Sequence, residues 1–310
     1  MMKYFLLTLI LLAGTLLPVQ QTWTDDDIKK LIDECGVRTT QMTGRLYNST
    51  FHVTDIDYVI DKQGRVKREQ SKVFEVYPTN VGNWRRWIYV QVGENGVAFS
   101  TEKIARERDQ AVKETQKLEQ QASAHQVTTP YKPRFSSYGI KVEKRGGLSR
   151  TIWFINPTDF LVSHDFYAPQ RVSFAGRETF VLRFRPRPGY VYDKTNVPYA
   201  EGVEDYGRAM SQLGGRIWID AADKVIARLE ATPSRELNES STTPDDNAAL
   251  LFELTRLPNG TWAPSVSSYN SYGREDVFWK TSLSRSRKYS DYKIFKTTVD
   301  VGKIEAGQKP

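Results

Sequence analysis

Apolar and polar positions alternate through much of the second half of the chain. In the stretch GGRIWIDAADKVIARLEA, Ile217 and Ile219 fall on one side, and Arg216, Trp218 and Asp220 on the other. Beyond the turn, Val225, Ala227 and Leu229 alternate with Ile226, Arg228 and Glu230. The segment before sets Phe180, Leu182 and Phe184 against Val181, Arg183 and Arg185. The segment after sets Leu250, Phe252 and Leu254 against Leu251, Glu253 and Thr255. A period of two over successive segments predicts antiparallel strands with one apolar and one largely charged face. The charged face is expected in water, its Arg, Asp and Glu pairing across strands. The apolar face must be covered.

The same pattern extends outward. GRLYNSTFHVTDIDYVID and VKREQSKVFEVYP read as strands joined by a DKQGR turn, and another hairpin turns around Glu94, Asn95 and Gly96. TIWFINP, LVSHDFYAPQRVSFAGRETFVLRFRP, ALLFELTRLPNGTWAPSVSSYNSYG and SLSRSRKYSDYKIFKTTV add strands, punctuated by AGRE, DAADK and LPNG. Two stretches have helical spacing instead. Residues 24–35 carry three aspartates at their start and Ile28, Leu31 and Ile32 on one face. Residues 101–121 are dense in Glu, Lys, Arg and Gln, with Ile104, Ala111, Val112 and Leu118 as the sparse apolar stripe. That thin stripe predicts an exposed, charged helix, with Thr101 as a cap. Residues 123–139 read as loop. The excursion RFRPRPGYVYDKTNVPYAEGVEDYGRAM reads equally as a lid with a short helix or as a plain crossover. The predicted fold class is mainly β with a few helices (α+β), built on one large curved antiparallel sheet.

Composition agrees with a globular, β-rich chain. Of 310 residues, 39% are hydrophobic, 26% charged and 12% aromatic, and mean hydropathy is −0.54. The formal charge of +7 is dispersed, which favours anionic surfaces only weakly. The N-terminus changes the picture more. Lys3 precedes an apolar run from Tyr4 to Leu17, too short to span a bilayer and of the length of a signal-peptide core. Residues 1–21 are therefore expected to be a cleaved signal peptide, followed by a single domain over 22–310. No cysteine follows the run closely, so no acylation site is expected. Cys35, the only cysteine, has no disulfide partner, and an exported chain without disulfides points to a bacterial periplasm.

Catalytic vocabulary is sparse. His52, His125 and His164 share no metal-ligand spacing, and neither H-E-x-x-H nor G-x-S-x-G occurs. An unreactive thiol is the expected state of Cys35. The reading is therefore of a protein that is not an enzyme, with no catalytic residue, metal or cofactor. RSRKYSDYK interleaves basic residues with tyrosines, but one solvated strand explains it, and nucleic acid is not an expected partner.

GGRIWIDAADKVIARLEA, preceded by GRETFVLRFRPRPGY and followed by LPNGTWAPSVSSY and RKYSDYKIF, resembles a group of exported bacterial proteins. These are the outer-membrane lipoprotein-sorting-protein-like chains of acidobacterial type. Their wider relatives include the LolA/LolB lipoprotein carriers and periplasmic sigma-factor regulators. The resemblance spans roughly residues 75–300 and rests most on G-x-I-W-I-D … I-x-R-L-E. It implies an incomplete, strongly curved barrel of LolA/LolB type, with helices covering the concave face and an apolar cavity between them. The expected ligand-binding face is Phe180, Leu182, Phe184, Ile217, Ile219, Ala227, Leu229, Phe252 and Leu254, and the expected partners are acyl chains of lipid or lipoprotein. A non-catalytic envelope factor that binds proteins, with its sheet filled by its own side chains, is the other reading. Peripheral membrane contact is compatible with the charge, and a monomer is expected.

Overall fold

The computed structural model describes residues 23–60, 66–81, 84–124, 138–143, 150–155, 157–191, 210–233, 250–270 and 282–295. The expected signal peptide, the DKQGR turn, His125 and most of the long excursion lie outside them.

The chain enters through helix α1 (Asp25–Arg45) and a 3-10 turn (Leu46–Asn48). Thr24 Oγ accepts the Asp27 N–H at 3.2 Å, and the Asp27 carboxylate accepts the Thr24 N–H and hydroxyl at 3.0 and 2.7 Å. This reciprocal cap fixes the helix start. Ile28, Leu31, Ile32, Cys35 and Thr39 form its buried face. The helix runs ten residues beyond the expected end at Cys35. Gly36, Thr39 and Thr40 have low intrinsic helix propensity, and their context compensates. The Thr40 hydroxyl bonds back to Gly36 O at 2.9 Å, and Thr39 Oγ accepts the Ile226 N–H at 3.1 Å.

Thirteen strands follow among the described residues, eleven of them in one antiparallel sheet. The first group is β1 (Ser49–Ile60), β2 (Val66–Val81), β3 (Trp84–Glu94) and β4 (Val97–Ala98). Asn95 and Gly96, at φ 51° and 77°, make the tight β3–β4 turn. Helix α2 (Thr101–Ala124) comes next. Its cap is Ser100, whose Oγ accepts the Lys103 N–H at 3.3 Å, rather than Thr101. A separate pair, β5 (Tyr138–Glu143) and β6 (Arg150–Ile155), leads to helix α3 (Pro157–Ser163). There the sequence pattern had suggested strand from Leu161. Proline at the first helical position and Asp159 in the first turn favour the helix instead.

The second group is β7 (His164–Phe174), β8 (Arg177–Pro186), β9 (Leu213–Asp220), β10 (Ile226–Pro233), β11 (Leu250–Arg256) and β12 (Trp262–Asn270). The last strand, β13 (Ser282–Ile294), inserts between β1 and β12 and joins the two groups. The order is β4-β3-β2-β1-β13-β12-β11-β10-β9-β8-β7, open at both ends. The DAADK turn is a junction. Asp220 accepts the Ala222 and Asp223 N–H groups and the Arg177 guanidinium, while Asp223 accepts Arg256 Nε and Trp262 Nε1, each at 2.9 Å. Four strand ends are thus tied at one corner.

Among the described residues, no helix is long and apolar enough to cross a membrane.

Candidate functional site

Residues directly opposed in neighbouring strands share a sheet face. Leu182, Ile217, Leu229 and Phe252 stand in one such row. Phe180 and Phe184 flank it on β8, and Ile219 on β9. Leu182, Phe184, Ile217, Ile219 and Leu229 are each 0% exposed, Phe252 1% and Phe180 5%. They form one cluster with Ile28, Leu31, Ile32 and Cys35 of α1 and Phe160 and Leu161 of α3. Seven of the nine expected face residues therefore meet, and they meet beneath helices. Among the described residues this face is a packed core.

Ala227 and Leu254 do not join it. They belong to a second cluster with Val181, Trp218, Val225 and Trp262. The cause is a pair of bulges that strict alternation cannot anticipate. Ile226 stands opposite Ile219 while Arg228 stands opposite Trp218, so β10 has one residue more than β9 at that step. Ile226, which alternation put on the charged face, occupies the apolar one, and Ala227 is turned away. On β12 an extra residue lies opposite the step from Glu253 to Leu254.

The opposite face also departs from expectation, because charges at its middle are buried while Arg185 is exposed. Arg216, Arg228 and Glu230 are buried. Arg216 Nη2 donates to Glu230 at 2.7 Å, Arg228 Nε donates to the other Glu230 oxygen at 2.7 Å, and Arg228 Nη1 donates to Glu253 at 2.6 Å. The guanidinium groups lie over Trp218 and Phe174 at 5.5 and 5.9 Å. Two cations, two anions and aromatic neighbours make an internally neutral ladder, so desolvation is compensated rather than avoided.

Followed across the sheet, the apolar row changes character. It continues from Phe252 through Ser267, Arg287 and Asp55 to Lys72. Arg287 Nη2 meets Asp55 at 2.8 Å and Arg285 Nη2 meets Asp57 at 3.1 Å, each guanidinium also giving its Nε to the same carboxylate. One face thus runs from a sealed apolar half to a half-buried ion-paired half. Residue spacing held the signal for this: D-x-D at 55–57 and R-x-R at 285–287 both place like charges on one face of a strand. Nothing in the sequence paired two segments so far apart.

Helix α2 packs elsewhere. Arg108 lies 3.7 Å from Glu75 and over the Tyr77 ring. Glu75 and Tyr77 alternate with Lys72, Phe74 and Val76 on β2, so α2 sits on the face opposite α1.

Cys35 and His164 are withdrawn from solvent, whereas His52 is partly exposed and bonds to Asp291 at 2.9 Å. Burial pushes the Cys35 thiol up to about 12. Burial lowers His164 to about 4, against bonds to Leu213 O and Met210 O that favour its cation. No group of three metal-ligating side chains occurs among the described residues.

No family model matches the sequence, and no curated protein matches it. Solved structures do. An outer membrane lipoprotein-sorting protein domain from Vibrio parahaemolyticus aligns over 87% of this chain and 96% of its own, at 9% identity and a TM-score of 0.37. A DUF1329 family protein from Desulfovibrio piger aligns over 90% and 97%, at 11% identity and 0.34. The MucA/MucB complex structure of Pseudomonas aeruginosa contributes a chain aligned over 87% and 100%, at 8% identity and 0.25. This chain is similar in architecture to the lipoprotein-sorting protein domain. The large, open, antiparallel sheet of this chain is the architecture that the sequence resemblance had implied.

Proposed function

We propose that the chain is a non-catalytic binding protein of the bacterial cell envelope. It holds acyl chains against the apolar sheet face, and α1 is the displaceable cover of that face. The observation that carries this reading is the continuous apolar surface of seven side chains closed chiefly by one amphipathic helix. Energetically, the exchange is near balance. Three buried aliphatic side chains of α1 contribute about 5–9 kcal/mol at ~1.5–3 kcal/mol each. An acyl chain burying about ten methylenes gains ~8 kcal/mol. A ligand can therefore replace the cover without a net loss of apolar burial.

The packed state of this core favours a second reading, an envelope factor that binds protein and carries no lipid. The two part company in a titration of the full chain with a fluorescent long-chain fatty acid. Under the carrier reading the parent binds saturably. Leu31→Ala, which weakens the cover by ~2 kcal/mol or more, binds at least tenfold more tightly. Absence of binding by both proteins would leave the protein-binding reading.

A further inference from the structure

The large sheet is split along part of its length. β12 and β13 pair from Val266 opposite Lys288 to Asn270 opposite Ser284. Beyond that point, residues 262–265 pair only with β11 and residues 289–294 only with β1 among the described residues. A bulge lies in each strand there, and Asp291 in the β13 bulge has φ 54°. Pro264 has no N–H to offer a ladder. Side chains span the gap instead: the Tyr292 hydroxyl donates to Pro264 O at 2.7 Å, and the Ser267 and Tyr289 hydroxyls meet at 3.2 Å. A cavity of about 370 Å³ lies in this region, lined by Leu257, Pro258, Tyr289, Asp291, Tyr292 and Ile294 among others.

We propose that this split is a docking site for an extended peptide segment of a partner protein, which seats one apolar side chain in the cavity and pairs its backbone with β13. Three features fit that occupant. Strands without a ladder on one side present main-chain donors and acceptors, the basis of recognition by strand addition. Leu257, Pro258, Tyr289, Tyr292 and Ile294 give the cavity an apolar wall beside the polar Thr255, Asn259, Ser290 and Asp291, and the volume lies at the lower end of the range for small ligand sites, ~300–1,000 Å³. The rim carries the exposed carboxylate of Asp291, held below the usual range by the His52 and Ser290 hydrogen bonds, which suits a basic residue beside the apolar anchor. An acyl chain fits less well, because it offers the main chain along the split neither a donor nor an acceptor. Leu257, Tyr292 and Ile294 belong to a different cluster from the core under α1, so this site stands apart from the acyl face.

The test uses the full chain and two labelled heptapeptides, Thr-Lys-Thr-Leu-Thr-Lys-Thr and the same peptide with Gly for Leu, read by fluorescence anisotropy. The leucine peptide is expected to bind at least tenfold more tightly than the glycine peptide. It should also slow amide exchange over residues 289–294. Thr255 and Ser290 are exposed and line the cavity. Thr255→Trp and, independently, Ser290→Trp should each abolish binding while circular dichroism stays unchanged. The proposal is overturned by equal binding of the two peptides or by no binding up to ~1 mM. It is equally overturned if a folded Trp variant keeps its peptide affinity, or if a fluorescent fatty acid rather than the peptide is lost on filling the cavity.

Discussion

His164 shows how one buried side chain sets a pH response. Leu213 O can only accept, so Nε2 donates to it at 3.1 Å, while Nδ1 lies 2.8 Å from Ser163 Oγ, whose own proton goes to Asp159 O at 2.6 Å. The rings of Phe160 and Phe184 lie 5.0 and 5.3 Å away, and Asp165 and Arg187 are the nearest charges. Burial keeps this imidazole neutral down to about 4, against an ordinary 6.5. The unfolded chain takes up the proton first, so this group costs stability as pH falls from 6.5 towards 4. Between pH 7 and 5 the loss is expected to be ~2 kcal/mol, read as a lower urea midpoint. His164→Gln should show a smaller drop over that interval, and an equal drop would remove His164 from the account. Gly215 is the second such position. A Cβ there would lie 1.9 Å from Glu230 O and 2.5 Å from Phe184 Cζ. The first contact is backbone and no rotamer relieves it, so Gly215→Ala is expected to cost more than ~3 kcal/mol in thermal or urea unfolding. A near-neutral variant would mean that β9 and β10 are farther apart than described.

Among the elements, the two long helices are expected to behave in opposite ways. Helix α2 is largely exposed and touches the sheet through Arg108 and a few partly buried positions such as Ile104. Replacing its second half, residues 113–124, with a short Gly-Ser linker should lower the thermal midpoint by only a few degrees. Helix α1 closes the core, and Leu31→Asp would bury a carboxylate among Phe and Ile side chains; the expected outcome is loss of the cooperative transition. Both helices were legible in the sequence, but α1 only to its middle, because the Ile226 N–H bond that anchors its second half at Thr39 is tertiary. The strands of the second group were legible because a period of two persists through them. Ala227 and Leu254 were misplaced because a bulge shifts side chains between faces without changing residue order. The ionic half of the face was hidden for a different reason: Asp55 and Arg287 are matched by topology alone.

For the whole molecule, one sheet face divides into an apolar half sealed by α1 and an ion-paired half, and the opposite face carries its own buried ladder. This division locates the expected rearrangement. If acyl chains replace α1 on Phe180, Leu182, Ile217 and their neighbours, only the cover should loosen, because the bound chain takes over the burial that α1 gives the strands. The most direct measurement is amide hydrogen exchange of the full chain, alone and loaded with a long-chain lysophospholipid. The account predicts that exchange accelerates over residues 28–42 of α1 by tenfold or more, while β8–β11 stay as protected as before. Bound lipid with α1 unchanged, or no lipid retained at all, would contradict the claim that α1 is the cover of an acyl-binding face.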